Sequence, residues 1–490
     1  MQVNFISWCF LRQRFLALPK SFYSRAVRKK QAVRDQTIYD LSTDYVHKGK
    51  QAYAFGFSAT GALGVERLMI DRDKSFTKFS GVSQPVKLSF DKTQQLLNVA
   101  CGYGFTVYIS KSSGATYNLY GCGINSDGQL GQHEGLVGKL ASEQLICAIP
   151  SPHEIDLPLS VEEKKRLYPT LVACGRAHTV ISMGLRDETT NSQPFLLTLG
   201  NNAFGQCGRQ IVDNEVFRPQ TSAISRVHLP ANVESVKQIC CGQDHSLLLS
   251  TEGVVYAAGL GSDGQTGLGF LDPVDKFTPV QGVLRNEVID QIASRGDTVL
   301  ALSRTGKLYA WGNNEYGQIW PAADVLQVPE PVELPTDECI VPKEAGEEYR
   351  NSKIGRILSI ACAGSMCAIV NDLGQVFVWG FGCLGLGPVV NFTALPTLIP
   401  PGLFVPALPS TAKRLVSVTS GLHHFIARSS DGSLWAWGAP RGGLYCLGIG
   451  AQLANKADRQ TYPVPINLAA EAVDVACGVD HTVVLARSLG

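Results

Sequence analysis

Three histidines stand in one repeated setting, Cys174-Gly175-Arg176-Ala177-His178, Cys241-Gly242-Gln243-Asp244-His245 and Cys477-Gly478-Val479-Asp480-His481, with a fourth in Ser420-Gly421-Leu422-His423-His424. Imidazole is the commonest metal ligand and a natural acid or base near neutral pH, so metal binding and proton transfer are the first chemistries to weigh. The repetition argues against both, because residues that recur once per structural unit around a ring do not converge on one ion. A histidine at the mouth of a buried strand instead satisfies turn groups through its ring nitrogens. His178, His245, His424 and His481 are accordingly expected to be structural. Gly175, Gly242, Gly421 and Gly478 are expected to be tight-turn devices rather than a phosphate cradle. No metal and no cofactor is expected.

Other conventional active-site patterns are missing from the chain. There is no Gly-x-x-x-x-Gly-Lys-Ser/Thr, no Gly-x-Ser-x-Gly and no His-Glu-x-x-His, so nucleotide hydrolysis, serine hydrolase and metalloprotease chemistry lack support. Fourteen cysteines include no Cys-x-x-Cys pair, which leaves zinc and oxidative stapling poorly supported. Cys101, Cys174, Cys241 and Cys477 each precede a glycine at the mouth of an apolar run, where a small buriable side chain packs beneath a turn.

The elements that carry these residues repeat. Degenerate copies of the Cys-Gly-x-x-His motif occur at Cys101-Gly102, Ser294-Arg295-Gly296-Asp297-Thr298 and Ala363-Gly364-Ser365-Met366, making seven in all. A second motif alternates with the first, an aromatic or small residue and a glycine followed by polar and glycine turns, at Gly56, Gly123, Gly200, Gly259, Gly312, Gly380 and Gly438. The spacings of those glycines, 67, 77, 59, 53, 68 and 58 residues, are too long for ankyrin or tetratricopeptide units. Between the motifs lie hairpin signatures such as Ser430-Asp431-Gly432-Ser433-Leu434-Trp435-Ala436-Trp437, where a glycine turn opens into alternating apolar residues. One such unit alone cannot bury both faces of its sheet, and stacking around a ring solves that problem. The strand missing after Ser488 is supplied by Gly49–Gly56. The expected fold is all-β, a seven-bladed β-propeller closed by pairing of the N-terminal strand with the C-terminal blade.

Composition agrees with this and adds an address. Glycine makes up 49 of 490 residues and charged residues only 17%, which favours turns over helices. No uninterrupted apolar run is long enough to span a membrane as a helix. The first 34 residues hold eight basic residues and no acid, leaving a body of 35 basic and 42 acidic residues, a net of −7. An arginine-rich, serine-containing, acid-free head is the pattern of a mitochondrial transit peptide. Residues 1–34 are read as that peptide, 35–48 as a linker and 49–490 as the propeller, in the matrix or on the matrix side of the inner membrane. The acidic body is a poor general clamp for nucleic acid, although a local patch can still bind phosphates.

The fourteen alternating half-motifs resemble the regulator of chromosome condensation family, whose repeats carry Gly-x-x-His-Thr and Trp-Gly-x-Asn-x-x-Gly-Gln-Leu-Gly. The best second-motif match is Gly123-Ile124-Asn125-Ser126-Asp127-Gly128-Gln129-Leu130-Gly131. With the transit-like head and Ala54-Phe55-Gly56-Phe57-Ser58-Ala59-Thr60-Gly61, the chain is similar to the mitochondrial branch. The family also contains light receptors and ubiquitin-ligase modules, so its fold alone does not give a function. The six tryptophans do not form the repeated cluster that a light receptor would use.

The resemblance implies guanine-nucleotide exchange on the inner-membrane dynamin-like fusion GTPase, with peripheral membrane association. It implies equally a noncatalytic scaffold in mitochondrial ribosome biogenesis, gathering large-subunit rRNA, pseudouridine synthases and other assembly proteins. A nuclear Ran-type exchange role is opposed by the head and by the acidic body. In the exchange-factor members an acid directly before a repeat histidine lies on the face that meets the GTPase, which makes Asp244 the candidate exchange-promoting acid; Asp480 has the same form and allows simple turn chemistry at both. Loops rather than repeated strands are expected to carry specificity. Within the Gln132–Thr170 insert, Lys164, Lys165 and Arg166 are the candidate RNA contacts. The runs Glu162-Glu163 and Glu344, Glu347, Glu348 read as solvated faces.

Overall fold

Alternation of apolar and polar residues on either side of each glycine turn produces short antiparallel strands, and these assemble into seven sheets. The structure is a computed structural model that describes residues 50–69, 81–89, 94–114, 116–133, 136–139, 145–186, 195–213, 215, 224–322, 324–404, 414–441, 443–454 and 457–488. The expected transit peptide at 1–34 and linker at 35–48 lie outside the described residues.

The first blade comprises Gln94–Cys101, Phe105–Ser112, Tyr117–Ile124 and Leu145–Glu154, with the short strand Leu136–Lys139 on its outer edge. Four-stranded blades follow, beginning at Leu167–Cys174, Val236–Cys241, Ile289–Ser294, Ile357–Cys362 and Leu415–Ser420. The seventh blade is composite. Ala470–Cys477 and His481–Ser488 are joined by Gln51–Phe57 and Gly81–Lys87 from the other end of the chain. Gly56 pairs with His481 and Gln51 with Ala486, so no edge is left open at the join.

The first strand of each blade lies innermost and touches the first strands of both neighbours, the seventh returning to the first. Every first-to-second strand ladder shifts register near its start, and such bulges increase the local twist. Seven apolar cores occupy the spaces between adjacent blades. Trp311, Trp379, Trp435 and Trp437 are fully buried there. The Pro321–Ile357 insert folds over one of these cores through Cys339, Val341, Ala345, Tyr349 and Ile354, and leaves Glu344, Glu347 and Glu348 exposed.

The two sequence motifs meet at one end of every blade, here termed the turn face. At the seven second-motif glycines φ lies between +90° and +140°. A Cβ at any of them would lie 2.2 to 2.5 Å from the carbonyl oxygen of the residue just before the histidine slot. That carbonyl accepts the backbone N–H following the glycine, as Asp244 O does from Leu260 at 2.8 Å and Asp480 O from Phe57 at 2.7 Å.

Candidate functional site

Each repeat histidine is stitched to the next blade. His178 Nε2 lies 2.9 Å from Ser246 Oγ, His245 Nε2 3.2 Å from Ser294 Oγ, His424 Nε2 3.2 Å from Thr482 Oγ1 and His481 Nε2 3.0 Å from Thr106 Oγ1. Those hydroxyls donate elsewhere, Ser246 to Gln206 O, Thr482 to Cys446 O and Thr106 to Ala62 O. The ring must therefore supply the Nε2–H, and the neutral imidazole leaves Nδ1 unprotonated, where at His424 it accepts from Cys446 Sγ at 3.6 Å. Burial pushes all four histidines down to about 3. Nε2 is committed as a donor, Nδ1 lies against the preceding repeat glycine, and each ring serves a different blade junction.

The preceding glycines have a steric origin. A Cβ on Gly175, Gly242, Gly421 or Gly478 would stand 2.0 to 2.3 Å from the Cε1 of the histidine three residues on. The fourth blade breaks this rule. It has Thr298 in the histidine slot and Arg295 in the glycine slot, the smaller side chain leaving room for the larger one. Arg295 Nη1 crosses the propeller axis to donate to Cys101 O at 2.9 Å and Cys174 O at 3.2 Å, on the first and second blades. Tyr103 Oη donates back to Arg295 O at 3.2 Å. Burial raises the Tyr103 hydroxyl, and Asp297 adds to the shift.

Around this axial mouth the turn face gathers a polar cluster. Arg176 grips Asp244 in a two-pronged ion pair, Nε to Oδ1 at 3.0 Å and Nη2 to Oδ2 at 2.8 Å. The Asp244 side chain is 3% exposed and that of Arg176 31%. Gln243 Nε2 reaches Asp297 Oδ2 at 2.6 Å and Gln265 Nε2 lies 3.4 Å from Asp297 Oδ1. Asp244 thus presents an oriented guanidinium to the turn face in place of an open carboxylate. Sequence reasoning singled out Asp244 and missed Tyr103, Arg176, Arg295 and Asp297. The available signal was positional, since Asp297 fills the Asp244 slot one blade on.

Lys164, Lys165 and Arg166 are placed elsewhere. They form the last turn of a six-residue helix, Val161–Arg166, opened by a Ser160 capping box with Glu163 and burying no residue. Lys164 Nζ pairs with Asp156 at 3.0 Å and Lys165 Nζ with Glu162 at 2.9 Å, both exposed. Exposed pairs of this kind contribute at most about 1 kcal/mol. The helix leads into Leu167–Cys174, whose far end is the turn face. At about 3.3 Å per residue the three cations lie roughly 25 Å from the axial cluster, at the opposite end of the blade.

Among the described residues no group of three or more His, Cys, Asp or Glu side chains is placed to hold a metal. Within the same residues no helix is long and apolar enough to cross a membrane. Burial raises the Cys101 and Cys477 thiols to about 12, far from the thiolate range that nucleophilic chemistry needs.

The regulator of chromosome condensation (RCC1) repeat matches at residues 195–249 and 431–485, and a second description of that repeat at 236–265 and 289–318. The chain is similar to the RCC1-like G exchanging factor-like protein of Homo sapiens, 36% identical over 446 residues that cover 90% of this chain and 88% of the relative. The Mus musculus protein of that name is 35% identical, covering 94% and 92%. Among solved structures, human WBSCR16 superimposes with a TM-score of 0.74 at 35% identity over 90% of this chain and all of that one. Prp20p from Saccharomyces cerevisiae shares the fold at a TM-score of 0.64 and 21% identity, covering 90% and 92%.

Proposed function

The chain belongs to the regulator of chromosome condensation repeat family, and from that premise we propose that it is a guanine-nucleotide exchange factor whose docking face is the turn face. The observation that carries the reading is the Arg176–Asp244 pair at the axial mouth, in a chain similar along most of its length to relatives named for G exchange. An exchange factor needs no reacting group of its own. It accelerates nucleotide loss by binding the nucleotide-poor GTPase more tightly than the loaded one, which requires oriented charge near the phosphate and magnesium site. Asp244 supplies orientation by fixing the Arg176 guanidinium, so the two act as one unit.

The proposed partner is the mitochondrial inner-membrane dynamin-like fusion GTPase, met on the matrix side after residues 1–34 have served as the transit peptide and 35–48 as the linker. Release of fluorescent GDP from that GTPase is expected to accelerate with the wild-type chain and to lose most of the acceleration with either Asp244→Asn or Arg176→Gln. A folded wild type that gives no acceleration ends the exchange reading. A fluorescent fusion that accumulates only in nuclei ends the mitochondrial one.

A second reading rests on the exposed basic turn Lys164-Lys165-Arg166 at the opposite end of the propeller. There the chain acts as a scaffold in mitochondrial ribosome biogenesis, contacting large-subunit rRNA beside pseudouridine synthases. Its two ends leave both roles open to one molecule. Neutralising all three basic residues is expected to abolish crosslinking to that rRNA while leaving GDP release unchanged; retained crosslinking removes the assignment.

A further inference from the structure

The outer part of the turn face between the fourth and fifth blades carries an exposed aromatic groove that the axial cluster does not use. Tyr316, Trp320, Leu326, Phe381 and Phe392 line it with Glu315 and enclose about 290 Å³. Tyr316 stacks on Phe381 across the blade boundary, ring centres 5.8 Å apart and planes 21° apart. Phe381 and Phe392 are cross-strand partners at the ends of their strands. In spite of this packing, Leu326 remains 63% exposed, Phe392 52% and Phe381 48%. Large apolar side chains gathered on a surface mark a binding site more often than scattered ones do.

Charge around the groove is one-sided. The segments 260–276 and 313–330, which join the third and fourth strands of the third and fourth blades and run into the fourth, carry six carboxylates, among them Asp263, Glu315, Asp324 and Glu330, against Lys276 alone. The segment 381–396 on the other side carries no charge. Such a field repels nucleic acid and attracts cationic polypeptide. We infer that this groove is a docking site for a basic protein segment that anchors one or two large apolar side chains between Tyr316, Phe381 and Phe392 while its lysines or arginines meet the acidic rim. The site is separate from the Arg176–Asp244 pair and holds whether or not exchange takes place.

A short fluorescein-labelled peptide of mixed lysine, leucine and phenylalanine serves as the probe, titrated with the full-length chain and read by anisotropy. Phe381→Ser with Phe392→Ser is expected to weaken binding by roughly tenfold or more, as loss of anchor contacts does. Glu315→Gln with Asp324→Asn is expected to weaken it by about threefold at low salt and much less at high salt. Leu373→Ser removes a 70% exposed leucine from a hairpin at the other end of the fifth blade and is expected to change nothing. Thermal unfolding of each variant separates lost binding from lost fold.

An absence of peptide binding by the folded wild type, equal weakening by Leu373→Ser, or unchanged binding by a folded Phe381→Ser/Phe392→Ser variant overturns the inference. Tighter binding of a single-stranded RNA probe to the same groove also overturns it, as does a wild-type dimer that the aromatic variant converts to monomer, since a second copy would then be the occupant.

Discussion

His178, His245, His424 and His481 are neutral and buried when the chain is folded and titrate near their ordinary value when it is not. Their folded values sit at about 3, below the ordinary 6.5, so between those limits the unfolded chain binds more protons and stability rises with pH. Acidification from pH 6.5 towards 4 should therefore destabilise the propeller, by about 1.4 kcal/mol per pH unit for each such histidine. Urea unfolding at pH 7.5 and at pH 5 measures this directly. Replacing His178 by Phe reproduces the natural pairing of Gly102 with Phe105, whose ring likewise lies over its glycine. The variant should fold, lose about 1 kcal/mol at neutral pH with the Ser246 bond, and show a flatter pH dependence than wild type. The glycine side of the same contact predicts the converse. Gly242→Ala places a methyl 2.0 Å from His245 Cε1 and 2.6 Å from Gly296 O, and should cost about 3 kcal/mol. Adding His245→Thr, the residue pairing that the fourth blade uses beside Arg295, should recover part of that loss in the same unfolding assay.

The second motif behaves as a self-satisfied turn, and its energetics belong to the element rather than to any one side chain. Asn314 Oδ1 accepts Ile319 N–H at 2.7 Å while its Nδ2 donates to Ala322 O at 2.8 Å and Val325 O at 2.9 Å. Gln318 Oε1 accepts from Tyr316 N–H at 3.0 Å, and Gln318 O in turn accepts the indole N–H of Trp379 on the fifth blade at 2.7 Å. Asn125 with Gln129 and Asn202 with Gln206 repeat the internal part of this arrangement, and Gln265 O takes Trp311 of the fourth blade. Asn314→Ala leaves Ile319 N–H and two carbonyls to find other partners, so about 2 kcal/mol of stability should be lost. Hydrogen exchange should quicken over 315–326 first, while the strands Leu308–Asn313 and Gln327–Leu334 hold their protection. Because Tyr316 and Leu326 line the aromatic groove together with Asn314 itself, the same variant should also weaken peptide docking. If exchange quickens evenly across the blade instead, the turn is not an independent unit.

At the scale of the ring, strand order, blade number and the closing pair were legible because each follows from a period that the chain repeats seven times. The closing strand of the seventh blade could be read from Gly49–Gly56, since its hydrophobic alternation and its Phe55-Gly56 match the other third strands, but the outer strand Gly81–Lys87 lies in a stretch that reads as a loop insert. Contacts between blades were not legible. Arg176 and Asp244 are 68 residues apart, and only the superposition of two turns at the axis turns Asp244 from an open acid into half of an ion pair. Arg295 was hidden for a different reason, since it occupies a glycine slot in a copy that reads as worn rather than specialised. Its guanidinium joins the fourth blade to the first and second, the one direction that neighbour-to-neighbour packing cannot brace. Stability in an array of repeats is otherwise a sum of units and nearest-neighbour interfaces, so removing a cross-axis tie should act on cooperativity as well as on free energy. Arg295→Met keeps the length and apolar stem while deleting two charge-assisted bonds, which are worth about 3 kcal/mol together. The expected result is a broader unfolding transition with a lower urea slope, and early loss of hydrogen-exchange protection in Gln94–Cys101 and Leu167–Cys174, the strands that Arg295 bonds, while Leu415–Ser420 stays protected. An unchanged slope with uniform loss would mean that Arg295 only fills the axis and that the closing strand at Gln51–Phe57 holds the ring without it.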